Sequence, residues 1–506
     1  MDAHLRVAVV GAGFGGIGMG VALLRHGIRN IALFDKATEL GGVWRDNTYP
    51  GCNCDVPAHL YSFSFAPYRD PAVRYPGRPE ILAYLRDVVE TFGLTPYLQL
   101  NTAIIDARYD EPGSIWRLTT STGQRYTADH VVFAVGMLHR PKLPVIDGLD
   151  DFTGPIFHTA RWDHTTDVTG RDVAVIGTGA SAVQAIPRLA ASARRVTVYQ
   201  RTPNWVLPKP GYDFGAVTRW ALKYLPGAHR AYRWAVAAAA QTVLWPVMVR
   251  GWSRRPIELL ARAHLRRQVR DRTLRQALTP SHPLGAKRIL LSNDYFPALT
   301  RDNVELVTTG IGSISESAIR TVDGLTRPAD VVVCATGFRA TEFLAPIRIC
   351  GRGGRLLQEQ WADGAKAYLG TAVPGFPNLF MIAGPDTFNS AGSNIAIKES
   401  QIRMILAAMR WSAESGAKAI EPSAAAMAEH QQWLRQAMDR TVWPDGGPSW
   451  YRTEQGRVVA PWPGTATEFD HAARRDPATV FEPVPARQVV ACSAADVRRD
   501  TEVVSA

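Results

Sequence analysis

At 506 residues the chain is long enough for two or three domains, and its 46% hydrophobic and 20% charged composition excludes a disordered chain. No window offers about 20 uninterrupted apolar residues, which excludes a conventional membrane-spanning helix, and five cysteines at irregular spacing exclude a secreted disulfide framework. The formal charge of +11 is local: 15 Lys/Arg and 2 Asp/Glu lie between Ala216 and Leu290, so the remainder is slightly acidic and a general nucleic-acid binder is disfavoured. The N-terminus shows no cleavable signal pattern, so a cytoplasmic protein is expected. Cys52 and Cys54 are too close for a zinc pair, and no metal site is expected.

The first elements read strand, glycine turn, helix, strand. Arg6–Val10 is a β-branched run, and Gly11-Ala12-Gly13-Phe14-Gly15-Gly16 follows it. The first glycine makes the tight turn, the second lets backbone approach a pyrophosphate, and the third lets helix and strand pack closely. A helical stretch from Ile17 to His26 leads to Ile31–Phe34 and then Asp35, where an acid accepts ribose hydroxyls. Further on come Gly41-Gly42-Val43-Trp44, Tyr49-Pro50-Gly51-Cys52-Asn53-Cys54-Asp55, and the twelve-residue stretch Phe152-Thr153-Gly154-Pro155-Ile156-Phe157-His158-Thr159-Ala160-Arg161-Trp162-Asp163.

A second core starts at Arg171–Ile176, with the turn Gly177-Thr178-Gly179-Ala180-Ser181-Ala182 and the strand Val196–Gln200. That strand ends in Arg201, which suits a 2′-phosphate, so this core is expected to prefer NADPH to NADH. An acid-ended and an Arg-ended dinucleotide core in one chain suggest a flavoprotein that takes hydride from NADPH. The basic insert follows. Trp234–Val249 is apolar but too short to span a bilayer. Beyond Pro256, Ile257, Ala261, Leu265 and Val269 form a helical stripe beside Arg262, Arg266, Arg267 and Arg270. Two readings stay open for this segment: peripheral membrane contact through 234–275, or a helical lid with a solvated basic face. Asp330–Phe338 is the expected closing strand of the first core, and Leu379–Pro385 is a second return element.

On the glycine motifs, the Gly41–Asp55 and Phe152–Asp163 stretches, Gln200–Trp205, Lys287-Arg288, Gly384-Pro385 and Ser449-Trp450-Tyr451, the chain resembles the class B flavin monooxygenases, specifically the type I Baeyer–Villiger monooxygenases. The resemblance covers most of the chain and leaves out the basic insert and the last 30 or so residues. It implies an α/β fold of two Rossmann-like dinucleotide-binding domains, for FAD and NADP, with a helical insert in the NADP domain. The expected boundaries are 1–150 and 329–475 for the FAD domain, 151–215 and 281–328 for the NADP domain, 216–280 for the insert, and 476–506 for a C-terminal tail.

The same resemblance implies FAD and NADPH as cofactors. It implies oxygen insertion beside a ketone carbonyl through a C4a-peroxyflavin, giving an ester or lactone. Arg288 would be the catalytic cation, because Arg keeps its proton, and Asp55 would orient it. FAD would meet Gly11, Gly13, Gly15, Gly16, Asp35, Gly42, Val43, Trp44, Asp55, Tyr61, Ile104 and Ile395. NADP would meet Gly177, Gly179, Ser181, Gln184, Arg201, Thr202 and Lys287. Gly154, His158, Trp162 and Asp163 would link the domains. Met137, after Gly136, departs from the polar residue common in the family. The loop Asp386–Gly392 also differs, so the substrate class does not carry over. Sulfur or nitrogen oxygenation is the alternative chemistry, and a membrane-associated flavoprotein without turnover is a third reading. Small-molecule ketone or sulfide and O2 are the expected partners, with no nucleic acid.

Overall fold

The computed structural model describes residues 3–68, 73–211 and 213–485. The tail expected at 476–506 is therefore described only to 485. There, Pro477–Val480 is helical and Phe481–Pro483 pairs with Ile420–Pro422. The rest of that expectation lies outside the described residues.

The chain builds two parallel cores of the same design. In the first, Ala3–Val10 lies between Ile31–Phe34 and Arg125–Phe133, both parallel to it, and Leu379–Met381 adds parallel to Arg125–Phe133. Ile104–Asp110, Ile115–Thr120 and Arg125–Phe133 form an antiparallel meander that extends this eight-stranded sheet. Ile31–Phe34 is buried along its whole length, which is why it reads as an unbroken apolar run, whereas Ile104–Asp110 and Ile115–Thr120 alternate. Helix Phe14–Arg25 covers one face and packs against helix Asn394–Glu414.

The second core orders Val304–Val307, Arg195–Tyr199, Asp172–Ile176, Val331–Cys334 and Ile156–His158, all parallel. This corrects one expectation. Val331–Cys334 closes the second sheet, beside Val173–Ile176, and not the first. The return to the first sheet comes later, at Leu379–Met381, so the boundary expected at 329 falls beyond Cys334. The reason lies in the turns. Gly177 has φ +106 and an added Cβ would meet the Ala335 carbonyl oxygen at 2.6 Å; Gly11 has φ +108 and meets Ala134 in the same way at 2.6 Å. Each glycine turn thus needs its own closing strand, Phe133-Ala134 in one core and Cys334-Ala335 in the other.

The insert is helical, as expected, with helices Ala216–Tyr224, Ala228–Ala239, Arg254–Gln268 and Arg272–Ala277. Its stripe faces inward. Ile257 and Ala261 pack with Trp205, Leu207 and Leu284, while Leu265 and Val269 join the core of the second domain. That stripe is therefore not free to lie on a membrane. Among the described residues no helix is long and apolar enough to cross a membrane.

Burial pushes the imidazoles of His130, His158 and His430 down to about 4 from a usual 6.5. Below pH 6.5 the unfolded chain takes up protons that the folded chain refuses. Stability that is complete above pH 6.5 is then lost as the pH falls toward 4. The thermal midpoint is expected to drop by roughly 5 °C or more between pH 7 and pH 5. A midpoint that stays flat over this interval would remove these histidines from the stability balance.

Candidate functional site

The first glycine turn ends against a held carboxylate. Asp35 is buried, and its carboxylate accepts from the Ala12 amide at 2.8 Å, the Ala37 amide at 3.0 Å and the Arg45 guanidinium at 2.9 Å. Arg45 is a residue that sequence reasoning did not single out. Gly13 faces Gly42, where an added Cβ would lie 3.2 Å from the Gly13 Cα, so the two backbones approach as a phosphate cradle requires. Gly15 and Gly16 sit in the first turn of the helix. A Cβ on Gly16 would collide with the Gly11 carbonyl oxygen. Val43 and Trp44 open a short helix capped by Gly42. The Trp44 indole donates to the Tyr61 hydroxyl at 3.0 Å, and Tyr61 meets Phe14 edge-on. Ile104 is buried at the start of its strand. Ile395 lies in the first turn of helix Asn394–Glu414, where its amide donates to the capping Ser393 hydroxyl.

The second turn is more open. Nothing lies within 4 Å of an added Cβ at Gly179, which caps helix Ala180–Ser192 with its free amides. Ser181 stands in that first turn. The Gln200–Trp205 loop is tied to the turn by the Thr178 hydroxyl to the Thr202 carbonyl at 3.3 Å and by Asn204 to the Thr178 carbonyl at 2.8 Å. Arg201 is exposed and Lys287 half-buried. Burial pushes the Lys287 ammonium down, and the neighbouring Arg201 charge adds to that. Two cations held together in this way suit a dianionic phosphate. Gln184, expected at NADP, spends its amide elsewhere. It donates to the Asn53 carbonyl at 2.9 Å and accepts from the Tyr49 hydroxyl at 2.8 Å. It clamps the first domain to the second.

Between the turns, Arg288 forms a hydrogen-bonded ion pair with Asp55. Burial opposes the Arg288 charge, but Asp55 outweighs it and holds the guanidinium above its ordinary value. Arg288 also lies 5.9 Å from the Phe388 ring centroid. Phe388, Ala391 and Tyr451 form an apolar cluster on which Met137 packs. The Tyr451 and Ser390 hydroxyls are buried next to each other. Burial raises the Tyr451 phenol to about 12. Lys209 is a second missed residue. It is buried, reaches the Cys54 carbonyl at 3.3 Å and lies over the Tyr75 ring at 4.8 Å. Burial lowers its ammonium and Asp55 opposes the shift. Its only sequence signal is a lone cation between Pro208 and Pro210.

The Phe152–Asp163 stretch supplies the edge strand of the second sheet and packs on the second core. Gly154 is required because a Cβ would meet the Asp330 carbonyl oxygen at 2.5 Å. His158 ends the edge strand of the second sheet. Its Nδ1 accepts from the Ala160 amide at 3.0 Å, and its ring meets Phe338 edge-on. Trp162 packs on Phe157 at 4.9 Å. Asp163 accepts from the Thr165 and Thr166 hydroxyls, which lower its carboxyl to about 2. His164 bonds Thr48 of the first domain at 2.8 Å. A cavity of about 460 Å³ opens here, lined by Lys36, Arg45, Thr48, His139, Arg161 and Trp162.

A family model described as pyridine nucleotide-disulphide oxidoreductase matches residues 8–226. The chain is 40% identical over 514 residues to a Baeyer-Villiger monooxygenase of Streptomyces coelicolor, covering 98% of this chain and 97% of that one. Its fold matches an oxidized steroid monooxygenase bound to NADP with a TM-score of 0.83 at 30% identity, over 95% of this chain and 100% of the other. It matches a closed crystal structure of cyclohexanone monooxygenase with a TM-score of 0.85 at 28% identity, over 96% and 100%.

Replacing Arg201 by Ala is expected to raise KM for NADPH about tenfold or more, the cost of a lost charge-assisted hydrogen bond, and to leave KM for NADH nearly unchanged. Equal changes for both coenzymes would remove Arg201 from 2′-phosphate recognition.

Proposed function

The chain belongs to the Baeyer–Villiger monooxygenases, and from that premise we propose that it inserts one atom of O2 beside the carbonyl of a ketone to give an ester or lactone. Ketone, O2, NADPH and a proton become ester, water and NADP+. Bound FAD, reduced by NADPH, supplies oxygen in an activated form. The observation that carries the reading is the Arg288–Asp55 pair beside an apolar wall.

Arg288 is the fixed cation of the site. A preorganised charge in a partly dry chamber stabilises negative charge developing on the carbonyl oxygen without reorganising at the moment of reaction. Asp55 holds the guanidinium in place, and the pairing keeps it charged. Phe388, Met137 and Tyr451 give the chamber apolar sides, which suit a hydrophobic ketone. Met137 replaces any polar contact with packing at its position.

Gly11, Gly13, Gly15, Gly16 and Asp35 would hold the FAD pyrophosphate and ribose, and Gly42, Val43, Trp44, Asp55, Tyr61, Ile104 and Ile395 would complete its site. Gly177, Gly179 and Ser181 would hold the NADP pyrophosphate. Arg201, Thr202 and Lys287 would take the 2′-phosphate. His158 is neutral at pH 7 and has one ring nitrogen engaged, so its role is positional, with Gly154, Trp162 and Asp163, at the join between domains. We place this activity in the cytoplasm.

A panel of ketones and sulfides with NADPH and O2, read by product mass, tests the reading. Ketones should gain one oxygen atom as esters; sulfoxide formation with no ester from any ketone would overturn it. Arg288→Ala should still bind FAD and oxidise NADPH, while ester formation falls about 100-fold or more. Ester yield at the wild-type level would remove Arg288 from the chemistry.

A further inference from the structure

Eight of the fourteen exposed large apolar side chains among the described residues lie in the insert. Five of them lie on its first two helices or at their ends: Val217, Trp220 and Tyr224, then Leu225 at the end of that helix, and, on the next helix, Trp234, which is 73% exposed. Positions 217, 220 and 224 fall on one face at helical spacing. Leu222, on the opposite face, is the buried residue of helix Ala216–Tyr224. This helix is docked through one leucine and turns its apolar stripe outward, the reverse of a helix built to face water.

The charges around the stripe have one sign. Arg219, Lys223 and Arg230 are exposed, and the segment 216–239 contains no Asp or Glu. The Lys223 ammonium sits 5.2 Å from the Tyr224 ring centroid, and the Trp220 and Tyr224 rings lie 6.2 Å apart. Underneath, the hairpin is anchored. Arg233 donates to the His59 and Ser62 carbonyls at 2.7 and 3.0 Å, and His229 and Tyr232 pack on the His59 ring. The outward face is therefore held by the first domain.

A second copy of the chain does not suit this face, because a two-fold contact would set one basic insert against another. A surface of dense negative charge with an apolar layer just beneath suits it on both counts. Trp and Tyr rings settle at the boundary between headgroups and acyl chains, and Arg and Lys reach the phosphates. We propose that the helical hairpin 216–239 docks the enzyme peripherally on a bilayer containing anionic phospholipid. Val217, Trp220, Tyr224 and Trp234 enter the interface, and Arg219, Lys223 and Arg230 meet the headgroups. This docking face differs from the buried stripe at Ile257–Val269, and it does not depend on the reaction assigned above.

Flotation of the purified holoenzyme with phosphatidylcholine vesicles, with and without phosphatidylglycerol, tests this at low and high salt. Binding is expected to the anionic vesicles at low salt, falling about tenfold or more with phosphatidylcholine alone or at high salt. The double variant Trp220→Ser/Trp234→Ser and the triple variant Arg219→Glu/Lys223→Glu/Arg230→Glu should each lose about tenfold or more of that binding. Both should keep wild-type NADPH oxidation with a water-soluble ketone in the absence of lipid, which shows that they are folded. No flotation with anionic vesicles overturns the proposal, as does flotation that both variants retain. A dimer on sizing that Trp220→Ser/Trp234→Ser abolishes would also overturn it, by assigning the face to a second copy.

Discussion

The stretch from Tyr49 to Ser62 has no regular helix or strand, yet it lies between two domains and must satisfy its backbone carbonyls there. Four of these carbonyls take a donor from the far side. Gln184 reaches the Asn53 carbonyl, Lys209 the Cys54 carbonyl, and Arg233 the His59 and Ser62 carbonyls. Asp55, in the middle of this stretch, takes Arg288. A half-buried ion pair seldom adds net stability, since desolvation offsets the attraction. Its place between two nucleotide cores is better explained by what a fixed cation does to reacting charge. The site is thus a product of the domain junction: neither core alone holds Asp55 and Arg288 together.

The two cores solve one problem twice. Each sets a left-handed glycine against the first carbonyl beyond its closing strand, Ala134 for Gly11 and Ala335 for Gly177. They part at the end of the second strand. There the first core carries Asp35, bridged to Arg45, and the second carries Arg201, crowded by Lys287. One backbone geometry presents opposite charges, and that difference suits a ribose in one core and a phosphate in the other.

The insert joins these parts and has two apolar sides. Ile257, Ala261, Leu265 and Val269 close onto the second domain, and Arg233 with His229 latches the hairpin to the first. What remains outside is the exposed aromatic and cationic face of 216–239. The overall charge of +11 is therefore mostly a property of one element bridging the domains. Of the basic stretch from Ala216 to Leu290, only Arg288, beyond the insert, pairs with Asp55 at the chamber, while Lys287 lies by Arg201.

Local features are legible in one dimension: both glycine turns, the strand-ending Asp35 and Arg201, the Lys287-Arg288 pair and the helical period of Ile257–Val269. Each rests on a short-range requirement, such as a positive φ, a close approach or a 3.6-residue repeat, that neighbouring residues can meet alone. Tertiary structure decided what partners those features meet. Val331–Cys334 is a buried apolar run that either sheet could accept, and only the register beside Val173–Ile176 selects the second. Gln184 reads as a coenzyme contact and Lys209 as an ordinary cation until a loop about 130 to 155 residues earlier brings them its carbonyls. The insert's helices could be recognised from their period, but which apolar side faces protein and which faces out depends on the domains they rest on. Long-range pairing is a property of the assembled molecule, and a one-dimensional pattern does not contain it.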